Sequence, residues 1–205
     1  VTQKNPDPAQ HPIRHRASGE LRAVALEQFS AVGFAGTSLQ QIADAAGYSK
    51  SSVLYHFVSK EALLDEVLTP AINCLEEIVD RLASSAGTAQ TRSEFIDEFI
   101  DFLLEFRLEV NTFINQGQSL RGIGVIDRAG RLILRLTSAL RGDDTSTIDG
   151  IRFGMALGGA AYTLVAGATY FPDQVSPEEE VRQALQSVVT ELLAPVPLRR
   201  PIEGK

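Results

Sequence analysis

Residues 36–63 read Gly36-Thr37-Ser38-Leu39-Gln40-Gln41-Ile42-Ala43-Asp44-Ala45-Ala46-Gly47-Tyr48-Ser49-Lys50-Ser51-Ser52-Val53-Leu54-Tyr55-His56-Phe57-Val58-Ser59-Lys60-Glu61-Ala62-Leu63. Ser38 with Gln41 is a capping box, in which the hydroxyl accepts a backbone N–H and the amide returns the bond. Behind it Leu39, Ile42, Ala43 and Ala46 share one helical face. Gly47 breaks that helix, Ser49 is placed to cap a second short one with Val53 inward, and Phe57 and Ser59 close it and open another. Two short helices about a glycine turn are a helix-turn-helix.

Working outward, Leu21, Val24, Ala25, Phe29 and Val32 predict a preceding helix that Gly33 stops in the left-handed region. Downstream, helical spacing predicts helices near 59–84, 91–109, 124–140, 147–170 and 177–193. Pro70 is expected to kink the first, and Thr91/Glu94 and Ser176/Pro177/Glu179 to start two others. No period-two run or Asn-Gly hairpin turn interrupts this pattern. The fold class is all-α. Six of the nine prolines fall in the two ends, which read as unstructured tails.

At 205 residues, 44% hydrophobic and 22% charged, the chain has the make-up of an ordinary globular protein. One cysteine, Cys74, cannot close an internal disulfide, and three histidines leave little for a Cys/His zinc site. No export signal is read at the N-terminus, and a cytoplasmic location is expected. The uncharged stretch Phe153–Phe171 is long enough to span a bilayer, but its four glycines suit burial against another helix better than lipid, so no membrane role is expected. The net charge of −7 is uneven: residues 1–60 carry +2 and the remainder −9, which leaves one mildly basic end for a polyanion.

The run 36–63, with the helix carrying Phe29 and the Gly33-Phe34 break before it, resembles the DNA-binding domain of the tetracycline-repressor (TetR) family. The resemblance implies an N-terminal three-helix helix-turn-helix domain joined to a larger helical ligand-binding and dimerisation domain. The corresponding boundaries are a disordered arm at 1–17, the DNA-binding domain at 18–62, the helical body at 63–194 and a Pro-rich tail at 195–205. A recognition helix in the major groove needs short or polar exposed residues, which Ser49, Lys50, Ser51 and Ser52 supply. Lys50 is the candidate for reading guanine and the serines for bases or phosphates. Tyr55 and His56 are expected to donate to phosphate, as are Thr37, Ser38 and Lys60 near helix N-termini. The serines would cap helices with or without DNA. Leu54 stands where the family usually has an aromatic residue, and is expected to pack against the domain rather than touch a thymine methyl. Tyr48 is expected to anchor in the core with a wet hydroxyl. Lys4, His11, Arg14, His15 and Arg16 form an arm read as a solvated leader rather than a minor-groove contact.

In the body, Phe95, Phe99, Phe102 and Phe106 form a stripe that is core or the lining of an apolar pocket, and the resemblance raises the pocket. The candidate ligand-binding residues are Phe99, Phe102, Phe106, Phe113, Met155 and Tyr162. Asp97, Asp101 and Glu105 are a solvated face without the histidines a di-metal site needs. Arg121, Arg128, Arg131 and Arg135 also read as solvated; were they inward, they would favour a carboxylate or thioester ligand. The small residues Gly154, Gly158, Gly159 and Ala161, with Val181, Leu185, Val188, Val189 and Leu192, form faces that need a partner; the family resemblance implies a four-helix, two-fold dimer interface there, with packing inside one chain as the plainer account. Taken together, these features predict a regulator, a homodimer on a palindromic operator in double-stranded DNA, more a repressor than an activator, released by a small, largely apolar effector. No cofactor or metal is expected. The alternatives are a relative without DNA binding that acts as a ligand-binding or protein-interaction module and, less well supported because no nucleophile, base and acid cluster together, an all-α enzyme.

Overall fold

The computed structural model describes residues 10–85, 88–140, 146–170 and 176–194. Among them are nine helices and no strand: α1 (Gln10–Ala31), α2 (Leu39–Ala45), α3 (Lys50–His56), α4 (Lys60–Ser84), α5 (Ala89–Glu105), α6 (Arg107–Gln116), α7 (Gly124–Leu140), α8 (Thr147–Tyr170) and α9 (Glu178–Leu193). No helix of the described residues is long and apolar enough to cross a membrane.

The first three helices close around Leu21, Ala25, Phe29, Ile42, Val53 and Phe57, all buried. Neither α2 nor α3 is long enough to persist alone, so their helicity depends on this shared core and on their caps. Ser38, Ser49 and Ser59 each accept the N–H expected of them, from Gln41, Ser52 and Ala62, and Gln41 completes the box on Ser38. Gly33 and Gly47 take φ of 92° and 74°, the left-handed conformation that ends α1 and turns α2 into α3.

Four boundaries differ from expectation. Helix α1 starts at Gln10, so residues 10–17 are helical backbone rather than an irregular arm; Pro12 falls in the first turn, where its missing N–H has no helical partner to lose. Lys4 and the tail 195–205 lie outside the described residues. Helix α5 is capped by Thr88, whose hydroxyl accepts from Thr91, three residues ahead of the expected cap. Pro177 is the N-cap of α9 rather than its first helical residue. The span read as one helix to 109 breaks at Phe106 (φ −105°, ψ 38°), and a separate helix, α6, follows and ends at Gly117. No Gly or Pro marks that break, so only packing reveals it.

Helix α4 runs on through Pro70 and joins the two halves. Its first turn belongs to the N-terminal core through Leu63 and Leu64, and its later turns carry Leu68, Ile72 and Leu75 into the body. Helix α7 lies along it: Asp65 accepts the N–H of Val125 at 3.1 Å, Arg128 pairs with Glu76 and donates to Asn73, and Arg135 pairs with Asp80. Helices α5, α8 and α9 complete the body. Arg152 of α8 and Arg92 of α5 donate to the last carbonyls of α9, at 2.8 Å to Leu192 and 3.0 Å to Leu193, where positive charge suits a helix C-terminus.

Candidate DNA interface and effector cavity

Helix α3 is pinned from behind by Val53, which is fully buried, and by Phe57 just past its end. Outward it presents Ser49, Lys50 and Ser51, with Leu54 and Tyr55 one turn on. The Ser49 and Ser51 hydroxyls lie 2.9 Å apart, and Ser52 is half-buried beneath its cap bond. The Tyr55 ring stands edge-on to His56 at 5.3 Å between centroids, and His56 is partly buried against Phe57. Leu54 is 44% exposed, which overturns the expectation that it packs against the domain. Tyr48 does pack on the core, but its hydroxyl is not simply wet. It donates to Glu20 at 2.6 Å, and this bond, followed by that from Arg16, holds the Glu20 carboxyl below its usual range.

Thr37 and Lys60 are turned inward. Thr37 is buried, its hydroxyl donating to the Gly33 carbonyl at 2.8 Å, so its side chain offers nothing to a phosphate. The Lys60 ammonium donates to the carbonyls of Phe34 at 2.7 Å and Thr37 at 2.8 Å and lies 4.2 Å from the centre of the Phe34 ring. It ties the end of α1 to the start of α4 through two of its three N–H donors. Ser38 is exposed at the start of α2, where cap and contact are compatible.

Helices α4 to α8 enclose a cavity of about 410 Å³. Phe99, Phe102 and Phe113 line it as expected. Phe106 packs on Phe102 outside the lining, at 5.5 Å between rings. Met155 and Tyr162 are not on it at all: they are 61% and 53% exposed, on the opposite side of α8 from Phe153, Leu157 and Ala161, which do line it. Ile72, Ile126 and Leu136 form part of the wall from α4 and α7. Arg121, Arg128, Arg131 and Arg135 do not face inward: Arg128 and Arg135 of α7 turn to α4 carboxylates, while Arg131 of α7 and Arg121 just before it are exposed.

Two polar groups in this region had no sequence signal beyond being polar in a helix. Glu109 of α6 lines the cavity, and burial, with the neighbouring Glu105 charge adding to it, pushes its carboxyl up. Gln116, at the other end of α6, reaches the N-terminal domain: its Oε1 accepts from the Phe34 N–H at 2.6 Å and its Nε2 donates to the Phe29 carbonyl at 2.7 Å. Asn111 adds a bond to the Ser30 hydroxyl at 2.7 Å. No group of His, Cys, Asp and Glu able to hold a metal occurs among the described residues.

An exposed serine and lysine helix seated on a three-helix core is the arrangement of a helix-turn-helix DNA-binding protein. Residues 21–67 match the family model for bacterial regulatory proteins of the tetR family. Over 48 residues the chain is 56% identical to the HTH-type transcriptional regulator RutR of Escherichia coli K12, a match covering 23% of each chain. It is 37% identical over 70 residues to the HTH-type transcriptional repressor KstR2 of Mycobacterium tuberculosis H37Rv, covering 32% of this chain and 35% of the relative. The chain thus matches well under half the length of these relatives. A solved TetR transcriptional regulator family member from Streptomyces coelicolor A3 superposes over 84% of this chain and 89% of its own, with a TM-score of 0.63 at 23% identity, which extends the likeness in fold to the body. Residues 21–67 are thus similar to the DNA-binding domain of the tetR family, and the body shares the fold of solved members of that family.

Proposed function

We propose that this protein represses transcription as a homodimer, binding a palindromic operator in double-stranded DNA through α3 of each protomer and releasing it when a small apolar effector fills the cavity. The observation that carries this is the exposed Ser49-Lys50-Ser51 edge of α3, fixed from behind by Val53 and flanked by Leu54 and Tyr55. Such a surface has the size and chemistry to enter a major groove.

The dimer is supported by α8, which leaves Ile148, Ile151, Met155 and Tyr162 exposed at spacings that share a face, next to Val188 of α9. Two-fold pairing there would set two α3 helices against the half-sites of a palindrome. Regulation is supported by α6, which carries Glu109, Val110 and Phe113 on the cavity and Asn111 and Gln116 on α1. A ligand that moves α6 would alter how the N-terminal domain is held, and would shift the equilibrium only by its difference in affinity for the two arrangements. The compartment that suits such a protein is the bacterial cytoplasm.

The test is affinity for random duplex and for selected fragments at several salt concentrations. A linear fall of log affinity with log salt, with tighter binding to selected fragments, is expected. A flat response would leave the chain a ligand-binding or interaction module without DNA binding.

A further inference from the structure

The cavity is apolar on nearly every side. Among the described residues that line it, the only polar side chains are those of Glu109 and Thr137, and the Thr137 hydroxyl already donates to the Ile133 carbonyl at 2.8 Å. No described lysine, arginine or histidine lines it; the α7 arginines that would have received an acidic head group are paired with Glu76 and Asp80 on the far side of that helix. Arg107, two residues before Glu109, is directed to Glu178 of α9. An anionic ligand would meet a carboxylate and no described cation.

We propose that the cavity takes an apolar ligand carrying a protonated amine, with the Glu109 carboxylate as its counter-ion and the phenylalanine rings around the tail. The proposal rests on the cavity being an effector site, as above, and adds the charge of the effector. Three features agree. The volume of about 410 Å³ suits a small organic molecule. The carboxyl has already given up much of its water on folding, so a cation entering beside it restores a partner at little further desolvation of the protein. Phe102 and Phe113 also line the cavity, and aromatic rings attract a cation where water is excluded.

The experiment is titration calorimetry on the full chain without DNA, using phenylbutylamine, phenylbutanol and phenylbutanoate, which share one tail and differ in head group. At neutral pH the amine is expected to bind about tenfold or more tightly than the alcohol, and the carboxylate weakest. Glu109→Gln should bring the amine down to the alcohol while alcohol binding stays within about twofold, and Thr137→Val should leave the amine preference intact. Amine and alcohol binding equally to the native protein, or an amine preference that survives Glu109→Gln, overturns the charge assignment while leaving the cavity as an effector site. Failure of all three to bind overturns both.

Discussion

The side-chain amide of Gln116 spans the end of α1, accepting the Phe34 N–H at 2.6 Å and donating to the Phe29 carbonyl at 2.7 Å. These two backbone groups flank Gly33, where α1 stops, so one side chain of the body satisfies both sides of the break that leads into the helix-turn-helix. The same helix lines the cavity one to two turns earlier. A change in α6 therefore reaches the N-terminal domain through defined bonds.

Gln116→Leu keeps the bulk of the side chain and removes both bonds, leaving a partly buried N–H and carbonyl unpaired. A loss of about 1–3 kcal/mol in urea unfolding is expected. Effector and DNA should also become less coupled: DNA affinity with and without bound ligand should draw together, as gel-shift titrations in both conditions would show. Unchanged coupling would mean that the signal passes through α4 alone.

Lys50 and Lys60 should separate by what they change. Lys60→Ala removes the ammonium from two carbonyls and a ring, and should cost about 1–3 kcal/mol of stability while leaving the salt slope of DNA binding as it was. Lys50→Ala should barely affect stability, alter sequence preference and flatten the slope by about one unit for each phosphate that the lysine no longer neutralises. Thermal unfolding and binding isotherms at three salt concentrations measure both.

Leu54 is an apolar side chain held in the open on α3. Leu54→Ala should change stability by less than about 0.5 kcal/mol, because little packing is removed. Selected DNA should bind several-fold more weakly if the side chain meets a thymine methyl. Parallel melting and affinity measurements would distinguish this from a role in packing.

Glu109 gives a dependence on pH. Its carboxyl is raised by burial and by Glu105, so the folded chain holds its proton to higher pH than the unfolded chain does. The contribution is complete below the ordinary glutamate range and is lost as pH rises through the raised value. Glu109→Gln should accordingly unfold like the native protein in acid and be the more stable of the two above that window, in urea titrations across pH.

The N-terminal domain was legible because its signals are local. Ser38 with Gln41, Ser49 with Ser52, and Gly33 and Gly47 act within four residues of themselves, and each sits in the structure as its type and spacing imply. The helices of the body were legible from periodicity, except where Phe106 divides α5 from α6 without a breaking residue.

What the sequence determined alone was the all-α class, the helix-turn-helix and the apolar stripe of α5, since caps, turns and helical faces depend on neighbours along the chain. Which way a polar side chain turns depends on partners far away in sequence. Lys60 finds carbonyls 23 and 26 residues back, Gln116 finds the Phe34 N–H and the Phe29 carbonyl more than 80 back, and the α7 arginines find the acids of α4. Only the tertiary structure could therefore turn Lys60 and Thr37 inward, put Met155 and Tyr162 outside the cavity and bring Glu109 into it, because burial and pairing are set by packing between helices.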